Sequence, residues 1–272
     1  MVTPTRITGP TQLRDAYRRV KDQIAESAIK SGRKPSDVVL VAVTKTATPD
    51  QIRTIVEMGQ ADLGENRVQQ LSQRVAQTQE FLARSKALGG SPKNNDELPD
   101  LIRWHMIGHL QRNKSKLVVP LVQLVHSVDS LRLAEELHAY GSRTDRVVDI
   151  LIQVNTSGES TKNGIAPPAV IHLAEQIDNM GGLRLRGLMT MAPFSDNPED
   201  ARPIFTRTKE LFDETQQARP AGSHFNILSM GMSGDFAVAI EEGANLVRVG
   251  RQIFGEAEHH TTEDDPAESP ED

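Results

Sequence analysis

Short β-branched runs alternate with longer amphipathic segments along almost the whole chain. Eight of these runs have the length and composition of strands: 38–44, 61–65, 103–108, 124–128, 147–155, 183–192, 225–230 and 246–250. Helical patterns separate them at 49–59, 67–83, 111–119, 131–141, 167–179, 198–217 and 235–243. A further helix precedes the first strand. Its Leu13, Ala16, Tyr17, Val20, Ile24 and Ala28 recur at helical spacing, and Gly32 marks its end. Strand–helix alternation predicts parallel pairing through right-handed crossovers. Eight such units predict an α/β fold, a single (β/α)8 TIM-type barrel carrying an extra N-terminal helix. An open doubly wound sheet is the competing architecture.

The 19 residues 83–101, rich in Gly, Pro and Asn, read as a loop insertion. Residues 256–272 hold eight acidic residues and no Lys or Arg, and removing them moves the net charge from −6 to +2. The expected organisation is therefore a barrel over 1–255 and an acidic, solvated tail over 256–272. A near-neutral body with 4% aromatic residues gives little footing for nucleic acid. No run approaches the ~20 apolar residues of a membrane span. The N-terminus lacks the apolar core of a signal peptide, and there is no cysteine for disulfides or thiolate metal sites. These features make a cytoplasmic protein the expectation.

A parallel barrel places its chemistry at the C-terminal ends of its strands. Lys45 closes the first strand, in alternation with Val39, Val41 and Val43. If that side faces inward, the amine enters the barrel mouth over an apolar floor, where desolvation favours its neutral, nucleophilic form. A lysine that simply reaches solvent is the alternative. After the seventh strand, Ser233 and Gly234 precede Asp235 and a helix, a turn suited to an anion or simply a helix cap. Gly250 follows the eighth strand, and the loops after strands seven and eight commonly build a phosphate site in this barrel. Arg248 lies within the eighth strand, where it needs either a protein carboxylate or a ligand acceptor. His105 could act as a base, a metal ligand or a satisfied polar residue. His126, His138 and His172 read as packing or surface positions, and no histidines cluster at metal-ligand spacing.

With these features assembled, the stretches VAVTKTATPDQI, LGENRVQQL, WHMIGHLQRNK, VHSVDS, IQVNTSGESTKNGI, LRGLMTMAP and LSMGMSGDFAVAIEEGANLVRVGRQIFG, spanning 39–255, resemble the pyridoxal-phosphate homeostasis family. The resemblance implies a barrel like the N-terminal domain of alanine racemase, with pyridoxal 5′-phosphate as cofactor. It implies Lys45 as the Schiff-base lysine, Ser233 as the phosphate-binding serine with Gly234 in the same turn, and Gly250 and Arg251 assisting through backbone N–H groups. Arg248 matches the arginine that faces the pyridine nitrogen, while Asn66, His105, Asn155 and Met189 match motif positions near the cofactor. Arg251 departs from the smaller or less charged residue expected there. A protonated arginine keeps the ring nitrogen an acceptor, which weakens the ring as an electron sink. A racemase also needs an acid/base from a second domain of a partner subunit, for which this chain leaves no room. The implied function is intracellular vitamin B6 homeostasis by a monomeric, non-catalytic carrier of the cofactor, with cofactor-dependent apoenzymes as recipients. An amino-acid racemase is the runner-up, and a phosphate-sugar enzyme on the same barrel is a third reading.

Overall fold

The structure, a computed structural model, describes residues 7, 9–87, 98–159, 163–218 and 224–256. Eight strands form: β1 Val39–Val43, β2 Asp62–Glu65, β3 Arg103–Met106, β4 Leu124–Val128, β5 Val148–Val154, β6 Leu183–Thr190, β7 Ile227–Ser229 and β8 Leu246–Val249. They pair in parallel in sequence order, and β1 pairs with β8 to close the barrel. All eight expected strands are present, most trimmed by a residue or two at their ends. The open-sheet alternative is excluded by the β1–β8 pairing, which sets Val39 opposite Leu246 and Val41 opposite Arg248.

The helices are α1 Pro10–Lys30, α2 Pro49–Glu57, α3 Val68–Ala87, α4 Ser115–Val118, α5 Leu131–Arg143, α6 Val170–Asp178, α7 Arg202–Ala218, α8 Phe236–Glu241 and α9 Arg251–Phe254. Local chemistry sets several ends. Thr48 and Gln51 form a reciprocal capping box ahead of Pro49, which satisfies two of the backbone donors left free at the start of α2. Gly32 adopts φ 73° just beyond α1, and the following N–H of Arg33 returns to the carbonyl of Ala28. Helix α3 runs through Ala87, so residues 83–87 of the expected insertion are helical. Ala83, Arg84, Lys86 and Ala87 favour helix, and Arg84 pairs with Glu80 one turn back. Residues 88–97 of that insertion, and the tail beyond Glu256, lie outside the described residues. The short helix α9 was not legible in the four residues that form it.

Strand alternation divides the buried residues into two layers. Leu40, Ala42, Leu63, Trp104, Ile150 and Ile152 point outward into a continuous apolar layer shared with the helices. Helix α1 joins that layer against α2, α8 and α9, over the seam where β8 meets β1. Inside the barrel the apolar set is small: Val41, Leu124, Leu151, Met189 and Leu246, with Met191 and Ile227 packed against them. The rest of the interior is polar.

Candidate functional site at the barrel mouth

Lys45 follows β1 directly. The turn after it is tight, with the Ala47 N–H bonded to the carbonyl of Thr44 at 2.8 Å, so α2 starts at once and the lysine stays at the rim. Lys45 is exposed, and its amine has no hydrogen-bond partner among the described residues. The shielding expected from the barrel wall is therefore not supplied by the protein: Val41 forms the apolar floor, and the amine stands above it in solvent.

Arg248 is buried at 3% exposure. It donates from Nη1 to Ser229 Oγ at 2.5 Å and from Nη2 to the Thr190 carbonyl at 2.9 Å. Neither partner is a carboxylate, so of the two options left open for this arginine, the bland one of a directly bonded protein carboxylate does not hold. Burial pulls the Arg248 guanidinium down to about 10, with Asp235 opposing that effect, and the group stays charged at neutral pH. Behind it, Ser229 meets His126, His126 meets His105, and His105 meets Asp62. His126 is thus neither a surface nor a simple packing residue. It sits fully buried in a polar chain that climbs the barrel interior.

The turn after β7 and the end of β8 form the second part. Ser233 Oγ accepts a hydrogen bond from the Gly250 N–H at 3.4 Å. Gly250 has no room for a side chain, since a Cβ there would lie 2.9 Å from the carbonyl oxygen of Val43. A Cβ on Gly234 would meet only open space. Asp235 accepts from the Met232 N–H at 2.6 Å and so holds the turn closed, while burial pushes its carboxyl up. Arg251 is exposed, with its guanidinium 5.7 Å from the ring centroid of Phe194. These two residues border a cleft of about 210 Å³ that reaches Gly234 but includes neither Lys45 nor Arg248.

The remaining expected residues divide. Asn66 is held at the rim by the close approach of Gly108, where a Cβ would lie 2.2 Å from the Asn66 carbonyl oxygen. Its Oδ1 is buried and unpartnered, as are Glu65 Oε2, Gln70 Oε1 and Arg74 Nη1 nearby. Glu65 itself pairs with Arg74 at 2.9 Å, and burial pushes its carboxyl up against the opposing pull of Thr44 and Arg74. Asn155 spends its side chain on its own loop, donating to the Glu159 carbonyl and accepting from Ser157 and the Gly158 N–H. Met189 is fully buried in the floor. His105 lies below the rim with both ring nitrogens engaged by protein. Sequence reasoning passed over Asp62 and Arg74, and it took His126 for a packing or surface position. For Asp62, His126 and Ser229 the available signal was a polar residue at an inward-facing strand position, whereas Glu65 faces outward onto Arg74 of α3.

The alanine racemase N-terminal domain family matches residues 75–258. The pyridoxal phosphate homeostasis protein of Aquifex aeolicus is 39% identical over 245 residues, covering 89% of this chain and 96% of that one. The chain belongs to the pyridoxal phosphate homeostasis protein family. Among solved structures, a protein of unknown function from Bifidobacterium adolescentis matches with TM-score 0.78 at 34% identity, over 92% of this chain and 99% of the other. PipY of Synechococcus elongatus, solved with PLP bound, matches with TM-score 0.68 at 33% identity, over 85% of this chain and 100% of PipY. Family membership accounts for the order of the rim motifs. No helix among the described residues is long and apolar enough to cross a membrane.

Proposed function

We propose that this chain holds pyridoxal 5′-phosphate at the barrel mouth as a cytoplasmic, monomeric carrier that delivers it to apoenzymes without turning over substrate. The donor set suits that group. It offers one exposed primary amine, one buried guanidinium with no carboxylate bonded to it, and one hydroxyl beside a backbone N–H. These complement an aldehyde, a ring-nitrogen acceptor and a phosphate. When bound, the cofactor supplies an aldehyde that condenses with amines and a ring that accepts electrons.

The observation that carries the reading is Arg248. A buried cation bonded only to a hydroxyl and a carbonyl has N–H donors left over, and Asp235, which acts on it through space, is not bonded to it. The guanidinium therefore presents positive charge to whatever occupies the mouth. A permanently protonated guanidinium can donate to a ring nitrogen but does not give it a proton, and this argues for holding rather than carbanion chemistry. Lys45 anchors the aldehyde end, and Ser233 with the Gly250 N–H anchors the phosphate end. Asn66, whose Oδ1 is free, and the backbone of Arg251 flank the group. Met189 serves as floor. His105 and Asn155 act through the residues they hold.

The test is the visible spectrum of purified protein incubated with the cofactor and desalted. Wild type retains an absorption band and Lys45→Ala loses it, whereas a band unchanged in Lys45→Ala overturns the site. Ser233→Ala weakens retention about tenfold, the effect of one lost hydrogen bond to a charged group. Incubation of the loaded protein with L-amino acids leaves their chirality unchanged, and sustained racemisation would replace the carrier reading with the enzyme.

A further inference from the structure

We infer that Asp62, His105, His126 and Ser229 form a one-way hydrogen-bond chain through the barrel interior that positions Arg248, with both histidines protonated on Nε2. This inference rests on the proposed site only for its functional consequence, because the direction of the chain follows from the protein alone.

The links are continuous. Arg103 forks onto Asp62 at 2.8 and 2.6 Å. Asp62 Oδ1 lies 3.1 Å from His105 Nε2, and His105 Nδ1 lies 2.9 Å from His126 Nε2. His126 Nδ1 lies 3.0 Å from Ser229 Oγ, which receives Arg248 at 2.5 Å. Asp62 begins β2 and Arg103 begins β3, so the chain starts at the closed end of the barrel. It ends near the rim, where Arg248 also reaches the last carbonyl of β6.

The direction is fixed at both ends. Arginine only donates, so Ser229 Oγ must accept from Arg248, and its single proton is left for His126. An ionised Asp62 only accepts, so His105 must carry a proton on Nε2. Burial weighs against ionised Asp62, but the bonds from His105 and Arg103 outweigh it and hold its carboxyl below the usual range. Between these ends two patterns keep His126 neutral. In one, Ser229 donates to His126 Nδ1, and His126 Nε2–H donates to His105 Nδ1, with both rings neutral. In the other, the His105–His126 and His126–Ser229 bonds reverse while His105 Nε2–H stays on Asp62, so His105 becomes a cation. The second leaves the Ser229 proton with no partner among its described contacts, in a fully buried place, where an unmade bond is costly. It also adds a charge beside Asp62, whose own charge Arg103 already balances. Burial, then His105 and Arg248, push His126 well below the ordinary histidine range, which agrees with a neutral ring.

The consequence is that the Ser229 hydroxyl proton is aimed at His126, which turns its lone pairs toward Arg248. The guanidinium plane is held at both ends of its fork, and its remaining donors keep one orientation. His105 and His126 are positioning residues rather than cofactor contacts.

Long-range 1H–15N spectra of the histidine rings in the full-length, cofactor-free wild type test the direction without any variant. Nε2–H signals for His105 and His126, with unprotonated Nδ1, are expected, and Nδ1–H on His126 overturns the chain. The functional half is tested on cofactor-loaded protein. Ser229→Ala, which removes the acceptor, weakens retention about tenfold and shifts the absorption band, while Ser229→Thr restores both. Wild-type retention and band in Ser229→Ala overturn the positioning role. If wild type itself retains no cofactor, the carrier reading and the positioning role fall together, and the ring tautomers still decide the chain's direction.

Discussion

The outer shell of this barrel and its interior are both buried, yet they are built from opposite materials. Between strands and helices, Phe205, Phe225, Leu71, Leu133 and Leu137 pack with no more than 1% exposure in an apolar layer that surrounds the barrel. Inside, five apolar side chains share the space with Asp62, His105, His126, Ser229 and Arg248. Apolar burial is non-directional and tolerant, so the outer layer can fix the fold without fixing any one atom's bonding. A hydrogen-bonded interior costs more to build and is fully satisfied only in one arrangement, which is what a rim group such as Arg248 needs to be held in place. Stability is concentrated in the shell and orientation in the interior.

Gly187 is where the two layers meet, and its replacement should have the largest effect. It sits at a register shift in β6 with φ 151°, and a Cβ would lie 1.8 Å from the Ile227 carbonyl oxygen. Gly187→Ala forces backbone apart, so a loss above about 5 kcal/mol, or no folded protein, is expected in urea unfolding. Phe205→Ala opens a cavity in the shell and should cost about 3–5 kcal/mol while leaving cofactor retention near wild type. Loss of retention in a folded Phe205→Ala protein would erase the division.

Asp62→Asn attacks the interior from its far end. It removes the charge partner of Arg103 and should cost about 1–2 kcal/mol at neutral pH. Because the folded protein holds the Asp62 carboxyl below its ordinary value, its contribution is fully present above ~4 and is lost as pH falls through the folded value. The difference between wild type and Asp62→Asn should therefore shrink on acidification, and a difference that grows toward low pH contradicts the sign. Lys45→Ala comes last on this scale. An exposed side chain with no hydrogen bond among the described residues should change stability by less than about 0.5 kcal/mol, even as the visible band disappears.

Much of the fold was legible because strand burial is periodic. Eight apolar runs with intervening amphipathic segments leave few parallel architectures, and Lys45, Ser233 and Gly250 mark the rim by following strands one, seven and eight. Helix α3 overran its expected end because propensity over 83–87 outweighed the Gly- and Pro-rich composition further on. His126 reads as a packing or surface position because a histidine in an apolar strand has the same local signature whether it packs or bonds. Asp62, in β2, and Ser229, at the end of β7, likewise carry no local mark of the partners they meet.

By itself, then, the sequence determined the strand count and the alternation of layers, since these follow from hydrophobic period and chain order. Only the tertiary structure decided that Lys45 stands in solvent rather than behind the wall. The same holds for Arg248 lacking a bonded carboxylate, and for five strands contributing one residue each to a single chain of hydrogen bonds. Those facts depend on barrel closure, which brings residues as far apart as His126 and Ser229 to 3.0 Å. Hydrogen bonding acts over that distance and carries no trace along the chain.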